Sequence, residues 1–253
     1  MRFHTALSLA LQLGYAVVYM EQGSIGSHPG KQLVIAIGGV PYARYPVRTH
    51  LVLSGEDLVT TLPPYLTPYL ASGDTVFVSE KIVAIAEGRA YPIREIRPSS
   101  LARFLVRFVH KSPHGIGLAS PWTMELALRE AGVPRILLAA AASALTKPFG
   151  IRGVFYRIAG RTVASIDGPT PYTLPPYNEY AKLGPKDPSG FARRLSGRIG
   201  CEVVVIDAND LGVEVLGKSS GAIAESFARA GFRDNPLGQG SEQTPLCIVR
   251  RAL

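Results

Sequence analysis

Four stretches of the 253-residue chain place polar side chains directly beside apolar runs, where they can leave a sheet and gather in a cleft. The first is Gly73 to Arg89, GDTVFVSEKIVAIAEGR. A strand ending at Val78 and passing through Ser79 into a short helix, capped near Gly88, aims free backbone N–H groups at one point, which favours an anion. Ser79 is placed to cap that helix, and Lys81 adds a full charge beside its start. An ordinary strand-to-helix turn with a solvated lysine has the same local pattern. The second and third stretches are acidic. Asp167 follows the short β-like run Val163 to Ile166, and Asp207 is delivered to the C-terminal end of the apolar run Cys201 to Ile206. Two such carboxylates can share a hard divalent cation, Mg²⁺ for example, which prefers oxygen donors and keeps positions for water and phosphate. Asn209 and Asp210 are placed to assist, although an aspartate taken alone is more often a turn-former or helix cap than a ligand, and only convergence of Asp167 and Asp207 reverses that. The fourth stretch is Asn235 to Pro245, NPLGQGSEQTP, a polar, glycine-rich loop that can wrap a nucleotide or simply turn at the surface.

The elements that must position these groups alternate short β-rich runs with helical periodicity, which predicts a mixed α and β domain. Strands are expected at Leu33 to Ile37, Val47 to Leu53, Thr75 to Val78, Cys201 to Ile206 and Leu246 to Arg250. Helices are expected from Glu56 to Leu62 and from Ser219 to Ala230. Between Pro98 and His110, residues Leu101, Phe104, Leu105 and Phe108 fall on one helical face and predict packing. Ser120 before Pro121, and Asp187 before Pro188, each read as an N-cap followed by a proline in the first turn, with Gly132 and Gly200 as the stops.

Composition removes several classes. The sequence has no GxGxxG and no HExxH. Cys201 and Cys247 belong to no zinc spacing and fit a reducing, cytoplasmic setting. The net charge of +8 favours an anionic partner, but the 27 basic residues are spread along the chain, so a small phosphate-bearing molecule is expected rather than nucleic acid. No apolar run reaches the roughly 20 residues that a bilayer requires, and no membrane partner is expected. Ala6 to Met20 loosely imitates a secretory signal, yet Gln12 interrupts it and no small-x-small site precedes Glu21. Residues 1–30 therefore read as an amphipathic helix or extension, and 31–253 as the domain. His50, His110 and His114 suit local hydrogen bonds or proton transfer.

Taken in order, the four stretches resemble the gamma-glutamyl ligase family that adds glutamate to the deazaflavin coenzyme F-420. The pattern GDxxxVxxKIVxxAEGR at Gly73 to Arg89 is its most specific part. The resemblance continues through Ile166-Asp167-Gly168, Asp187-Pro188, the strand ending in Asp207, and GQGSEQTP at Gly238 to Pro245. It implies an α+β fold with mixed or antiparallel sheets and flanking helices, in an intertwined homodimer. It also implies a GTP-dependent enzyme that activates a carboxylate as an acyl phosphate for attack by the amine of L-glutamate, with Mg²⁺ or Mn²⁺ on the nucleotide phosphates. On that resemblance Asp167, Asp207 and Gln239 match metal-binding positions. Ser79, Glu80 and Lys81 lie beside the phosphates, and Gly238, Gly240, Ser241 and Glu242 lie in the nucleotide loop. Lys81, Asp167 and Asp207 would carry the chemistry.

This chain departs from the family pattern at three places. Ile85 stands where a second lysine is frequent, Ala208 follows Asp207 where a threonine is expected, and Thr170 replaces an asparagine ahead of the insertion Pro171 to Tyr180. Tyr172, Tyr177 and Asn178 of that insertion suit a pocket for a different acid, a sheet edge or a dimer seam. A divergent amide ligase and a non-catalytic nucleotide-binding protein are the alternative readings.

Overall fold

The computed structural model describes residues 18–19, 24–25, 28, 30–109, 117–151, 153–209, 212–238 and 240–252. The chain forms two compact units, Met1–Ala86 with Asp187–Leu253, and Glu87–Lys186, so the span 31–253 contains an excursion between two halves of one unit. The first unit starts with β1 (Val18–Tyr19) and β2 (Ser24–Ile25), and β2 pairs with β4 through Ile25 and Val47. Residues 18–19 and 24–25 thus belong to the sheet, while the expected helix over Ala6 to Met20 lies mostly outside the described residues. Strands β3 (Val34–Ile37) and β4 (Val40–Val47) make a hairpin closed by Gly38 and Gly39, both at positive φ as a two-residue turn of this hand requires. The short helices α1 (Leu58–Thr61, capped by the Asp57 side chain) and α2 (Pro63–Leu66) lead to β5 (Thr75–Ser79) and α3 (Glu80–Ala86).

The second unit is mainly helical. It contains β6 (Ala90–Pro92), α4 (Ser100–Leu105), α5 (Pro121–Ala131), α6 (Val133–Thr146), α7 (Val154–Ala159), α8 (Arg161–Ala164) and β7 (Tyr180–Lys182). Strands β6 and β7 pair as a two-stranded ribbon. Ser120 caps α5 through a reciprocal box with Thr123, and Met124, Ala127, Ile136 and Ala181 lie in its core. At Asp187 the chain re-enters the first unit as α9 (Pro188–Ile199), β8 (Glu202–Asn209), β9 (Gly212–Lys218), α10 (Glu225–Gly231) and β10 (Leu246–Arg251).

Among the described residues the main sheet has eight strands in the order β1-β2-β4-β10-β5-β8-β9, with β3 also on β4. Only β5 and β8 run parallel, as the intervening excursion and α9 demand, and the other pairs are antiparallel. The fold is α+β with a mixed sheet and flanking helices, as expected. Val76, Phe77 and Val78 of β5 are fully buried, which explains the unbroken apolar run of a central strand. On one sheet face Phe77 stacks at 4.3 Å from Phe232 and packs with Val204, Cys247 and Ala228.

Several expectations change. The strand expected over Val47 to Leu53 is instead β4, ending at Val47, because the polar, turn-forming residues Thr49 and Ser54 to Asp57 leave the sheet. Val163 and Ala164 finish helix α8 rather than forming a strand, since so short an apolar run fits either period. Leu105 is buried on its helix, but Phe104 and Phe108 are 52% and 70% exposed, so the packing stripe is narrower than the periodicity implies. The last helix begins at Glu225, not Ser219, because Lys218 to Ala224 first turn away from β9.

Candidate functional site

The sheet register gathers three of the four polar stretches at one end of the first unit. Strands β5 and β8 are parallel with Ser79 opposite Ile206, so Glu80 leaves the sheet at the same end as Asp207, although β8 runs on to Asn209 and Asp207 is still paired within it, two residues later than the sequence placed the strand's end. Strand β10 runs the other way between β4 and β5, which brings the loop preceding Leu246 to that end too. The Ser79 N–H donates to the Pro245 carbonyl at 2.8 Å, and the Thr49 N–H donates to the Gln243 carbonyl at 3.0 Å.

At the junction of β5 and α3, Ser79 Oγ lies 3.4 Å from the Lys81 N–H, a long version of the expected cap. Glu80 is buried there, whereas Lys81 is half-exposed. Ile85, at the position where the family pattern carries a lysine, is buried in the helix face against the sheet. The start of this stretch is structural. Asp74 is buried, and Arg250 holds it with Nε on Oδ1 at 2.8 Å and Nη2 on Oδ2 at 2.7 Å. That bidentate bond raises the Arg250 pKa, and the guanidinium also lies 5.7 Å from the Tyr45 ring centroid.

Asp207 is half-buried within β8, opposite Glu214 on β9, so both carboxylates occupy one sheet face. Asn209 Nδ2 donates to Asp207 Oδ1 at 3.4 Å. Ala208 turns to the opposite face and packs against the cluster around Phe77 and Val213. A threonine at 208 would put its hydroxyl on that apolar side, not beside Asp207. Among the described residues no three His, Cys, Asp or Glu side chains form a group able to hold a metal. The donors at this edge are nevertheless hard oxygens, and Mg²⁺ is commonly held by one or two carboxylates plus phosphate and water. Asp207 with Asn209 and Glu214 fits that chemistry.

The C-terminal loop is built on its own side chains. Gly238 has φ +79°, and a Cβ there would lie 2.7 Å from the Glu242 carboxyl carbon. Glu242 Oε2 accepts the Gly240 N–H at 2.7 Å, so this residue staples the turn, while Ser241 is exposed. Gln239 lies outside the described residues, as do Asp210, His110 and His114. Thr244 gives its only hydroxyl proton to the Leu237 carbonyl at 2.7 Å, so His28 Nε2, also 2.7 Å away, must donate to Thr244. Burial lowers the pKa of His28. The third histidine singled out by sequence, His50, bridges Tyr65 at 2.9 Å and Glu56 at 2.6 Å.

Asp167 belongs to the second unit. It forms an isolated bridge with Lys182, giving its N–H to the Lys182 carbonyl at 3.1 Å and accepting the Lys182 N–H at 2.9 Å. Asp167 Oδ1 accepts the Gly168 N–H at 2.9 Å. Lys182 is buried, and its Nζ donates to the Ser165 carbonyl at 3.3 Å. Thr170 is buried and hydrogen-bonded to Thr173, which makes it a loop former. In the following insertion Tyr177 and Tyr180 pack edge to face at 5.1 Å.

Sequence reasoning passed over Lys182, and also the clamp beneath the C-terminal loop. There Arg44 is fully buried and holds both carboxylate oxygens of Asp234, one Nη2 contact measuring 2.8 Å, and donates to the Gly231 carbonyl at 2.8 Å. The alternation of β4 gives no signal for a charged residue turned inward, because the partner is 190 positions away.

A family model for F420-0:gamma-glutamyl ligases matches residues 46–226. This match spans most of the chain, and the protein belongs to the F420-0:gamma-glutamyl ligase family. The matched segment contains Lys81, Asp167 and Asp207 and stops before Asp234 and the loop at 235–245. No curated protein matches the chain.

Proposed function

We infer that this protein joins L-glutamate to coenzyme F-420-0, using GTP and Mg²⁺ or Mn²⁺ to activate a carboxylate as an acyl phosphate. The observation that carries the reading is the register that sets Ser79 to Lys81, Asp207 and the loop ending at Pro245 on one sheet edge, inside a chain of this family. Lys81 neutralises phosphate charge, and Ser79 with the Gly238 to Glu242 turn borders the nucleotide. Asp207 and Gln239 are the metal ligands of the first unit, and Asp167 is the metal-ligand candidate of the second. The cation would offset charge on the phosphate oxygens, and phosphoryl transfer then needs positioning and electrostatics more than covalent work by the protein. After activation, the glutamate amine attacks the acyl carbon, an amide bond forms and inorganic phosphate leaves. A homodimer and a cytoplasmic setting belong to the same reading.

Incubation of the protein with GTP, Mg²⁺, glutamate and F-420-0 should release GDP and yield a product heavier by one glutamate residue. GDP without that product would favour the divergent ligase, for which the buried Ile85 is the specific observation. Tight nucleotide binding without turnover would favour the non-catalytic reading. Asp207→Asn should lower Mg²⁺-dependent nucleotide affinity by at least about tenfold, read by calorimetry with and without the cation. Unchanged affinity would remove Asp207 from the site.

A further inference from the structure

The second unit carries an apolar surface that its own core does not use. Helix α6 buries Ile136 and Ala139, whereas Leu137, Leu138 and Leu145 on its other side are exposed. The exposed stripe continues past the helix end through Phe149 and Ile151 to Tyr156 of α7, which packs on α6. Exposure peaks at the last turn of α6 and just beyond it, at 71% for Leu145 and 81% for Phe149. Side chains this exposed protrude and do not line a groove. Apolar residues grouped in this way on an exposed surface mark an interaction site.

The charge around the stripe selects its occupant. From Ala131 to Ile166, 36 residues, there is no Asp or Glu, while Arg135, Lys147, Arg152, Arg157 and Arg161 fall within the same stretch. Glu87–Lys186 as a whole holds 14 basic and 6 acidic residues, a net +8, and the rest of the chain holds 13 of each. Face-to-face pairing of two copies of this surface would bring like charges together. A groove in another protein would have to enclose a protruding tip and supply all the opposite charge. An anionic bilayer offers both complements at once, with headgroups for the cations and an acyl boundary for Leu145 and Phe149.

We propose that the turn between α6 and α7 docks the protein reversibly on anionic lipid surfaces. This docking is peripheral, and no helix among the described residues is long and apolar enough to cross a membrane. It does not depend on the ligase reading, because none of the residues involved is a site residue.

Flotation of the full-length protein with vesicles tests this directly. Vesicles of phosphatidylcholine containing one third phosphatidylglycerol should bind at least about tenfold more tightly than phosphatidylcholine alone, and high salt should weaken that binding. Lys147→Glu and Arg157→Glu should each lower partitioning by about fivefold or more. Phe149→Ser should lower it by about tenfold or more. All three positions are exposed, so unchanged circular dichroism is expected and separates lost docking from lost folding. Equal binding to both vesicles, or variants that bind like the parent chain, would overturn the proposal. So would variants that change the mass in solution by light scattering while vesicle binding is absent, since the stripe would then be a subunit seam. Capture of an acidic amphipathic peptide in place of either vesicle would overturn it as well.

Discussion

The two units of the chain use arginine in opposite ways. In the sheet unit, which has equal numbers of basic and acidic residues, Arg44 and Arg250 are tied to Asp234 and Asp74 and lock distant segments together. In the helical unit, which carries the whole net charge of +8, Arg103, Arg107 and Arg157 stand on the surface beside exposed Phe104, Phe108 and Tyr156. In the helical unit Arg89 does brace distant segments, through Glu130 at 2.7 Å and the Gly184 carbonyl at 2.6 Å, so charge mainly holds structure in the first unit and mainly offers a surface in the second. The basic residues look scattered along the sequence only because both kinds are averaged together.

The comparison breaks first if removing a carboxylate from the sheet unit costs little. Asp234→Ala strands a fully buried guanidinium, and loss of one partner from a buried pair costs about 3 to 5 kcal/mol. Asp234 is itself 41% exposed, so water can partly replace it, and about 3 kcal/mol is the expected loss in denaturant unfolding. A loss below about 1 kcal/mol would show that water solvates Arg44 in the fold. The pH dependence follows from the same pair. Bonding to Arg44 lowers the Asp234 pKa, so its stabilisation is complete above the ordinary carboxylate value and disappears as pH falls through the lower, folded value. Below about pH 4 the parent chain should lose stability more steeply than Asp234→Ala.

A second break would come from β9. A Cβ on Gly217 would lie 2.4 Å from the backbone carbon of Pro188, where the first turn of α9 crosses the strand. Backbone cannot swing aside as a long side chain can, so Gly217→Ala should cost about 1 to 3 kcal/mol, measured by thermal unfolding. Gly197→Ala is the control on α9, since a Cβ there meets nothing within 4 Å. Equal effects at both positions would mean that the strand and helix are less closely set.

The sequence revealed much of this frame where local signals are strong. Ser120 and Asp187 announced their helices because cap, proline and apolar period agree, and the β5 to α3 motif was legible because a buried central strand has no polar interruptions. Strand β4 was misplaced because Pro41 and Pro46 argue against a strand, although their missing N–H groups are tolerated in this sheet. Asp167 was placed after a strand because a run of four residues, three of them apolar, carries no usable period. Its neighbour Lys182 came from pairing across 15 positions and had no local sign. The clamp of Arg44 on Asp234 was hidden for the same reason, since long-range pairing leaves no trace in one sequence. The charge division was readable by counting over Glu87–Lys186, but that boundary becomes visible only in the fold.

The smallest expected effect sharpens the comparison from the helical side. Arg129 bonds Glu125 one turn earlier on α5 at 3.0 Å, and its side chain is half in water. Each partner gives up rotamer freedom to make the contact, and solvent screens the attraction, so Arg129→Ala should change stability by no more than about 0.5 kcal/mol. Glu125 keeps a second partner, the Ser99 N–H at 2.9 Å; burial pushes the carboxyl pKa up, and the bonds from Ser99 and Arg129 together bring it below the ordinary value. The measurement is the unfolding midpoint at low and high salt, where the parent and the variant should nearly coincide. A loss near that of Asp234→Ala would mean that surface arginines brace the helical unit as strongly as buried ones brace the sheet, and the division between bracing charge and docking charge would fail.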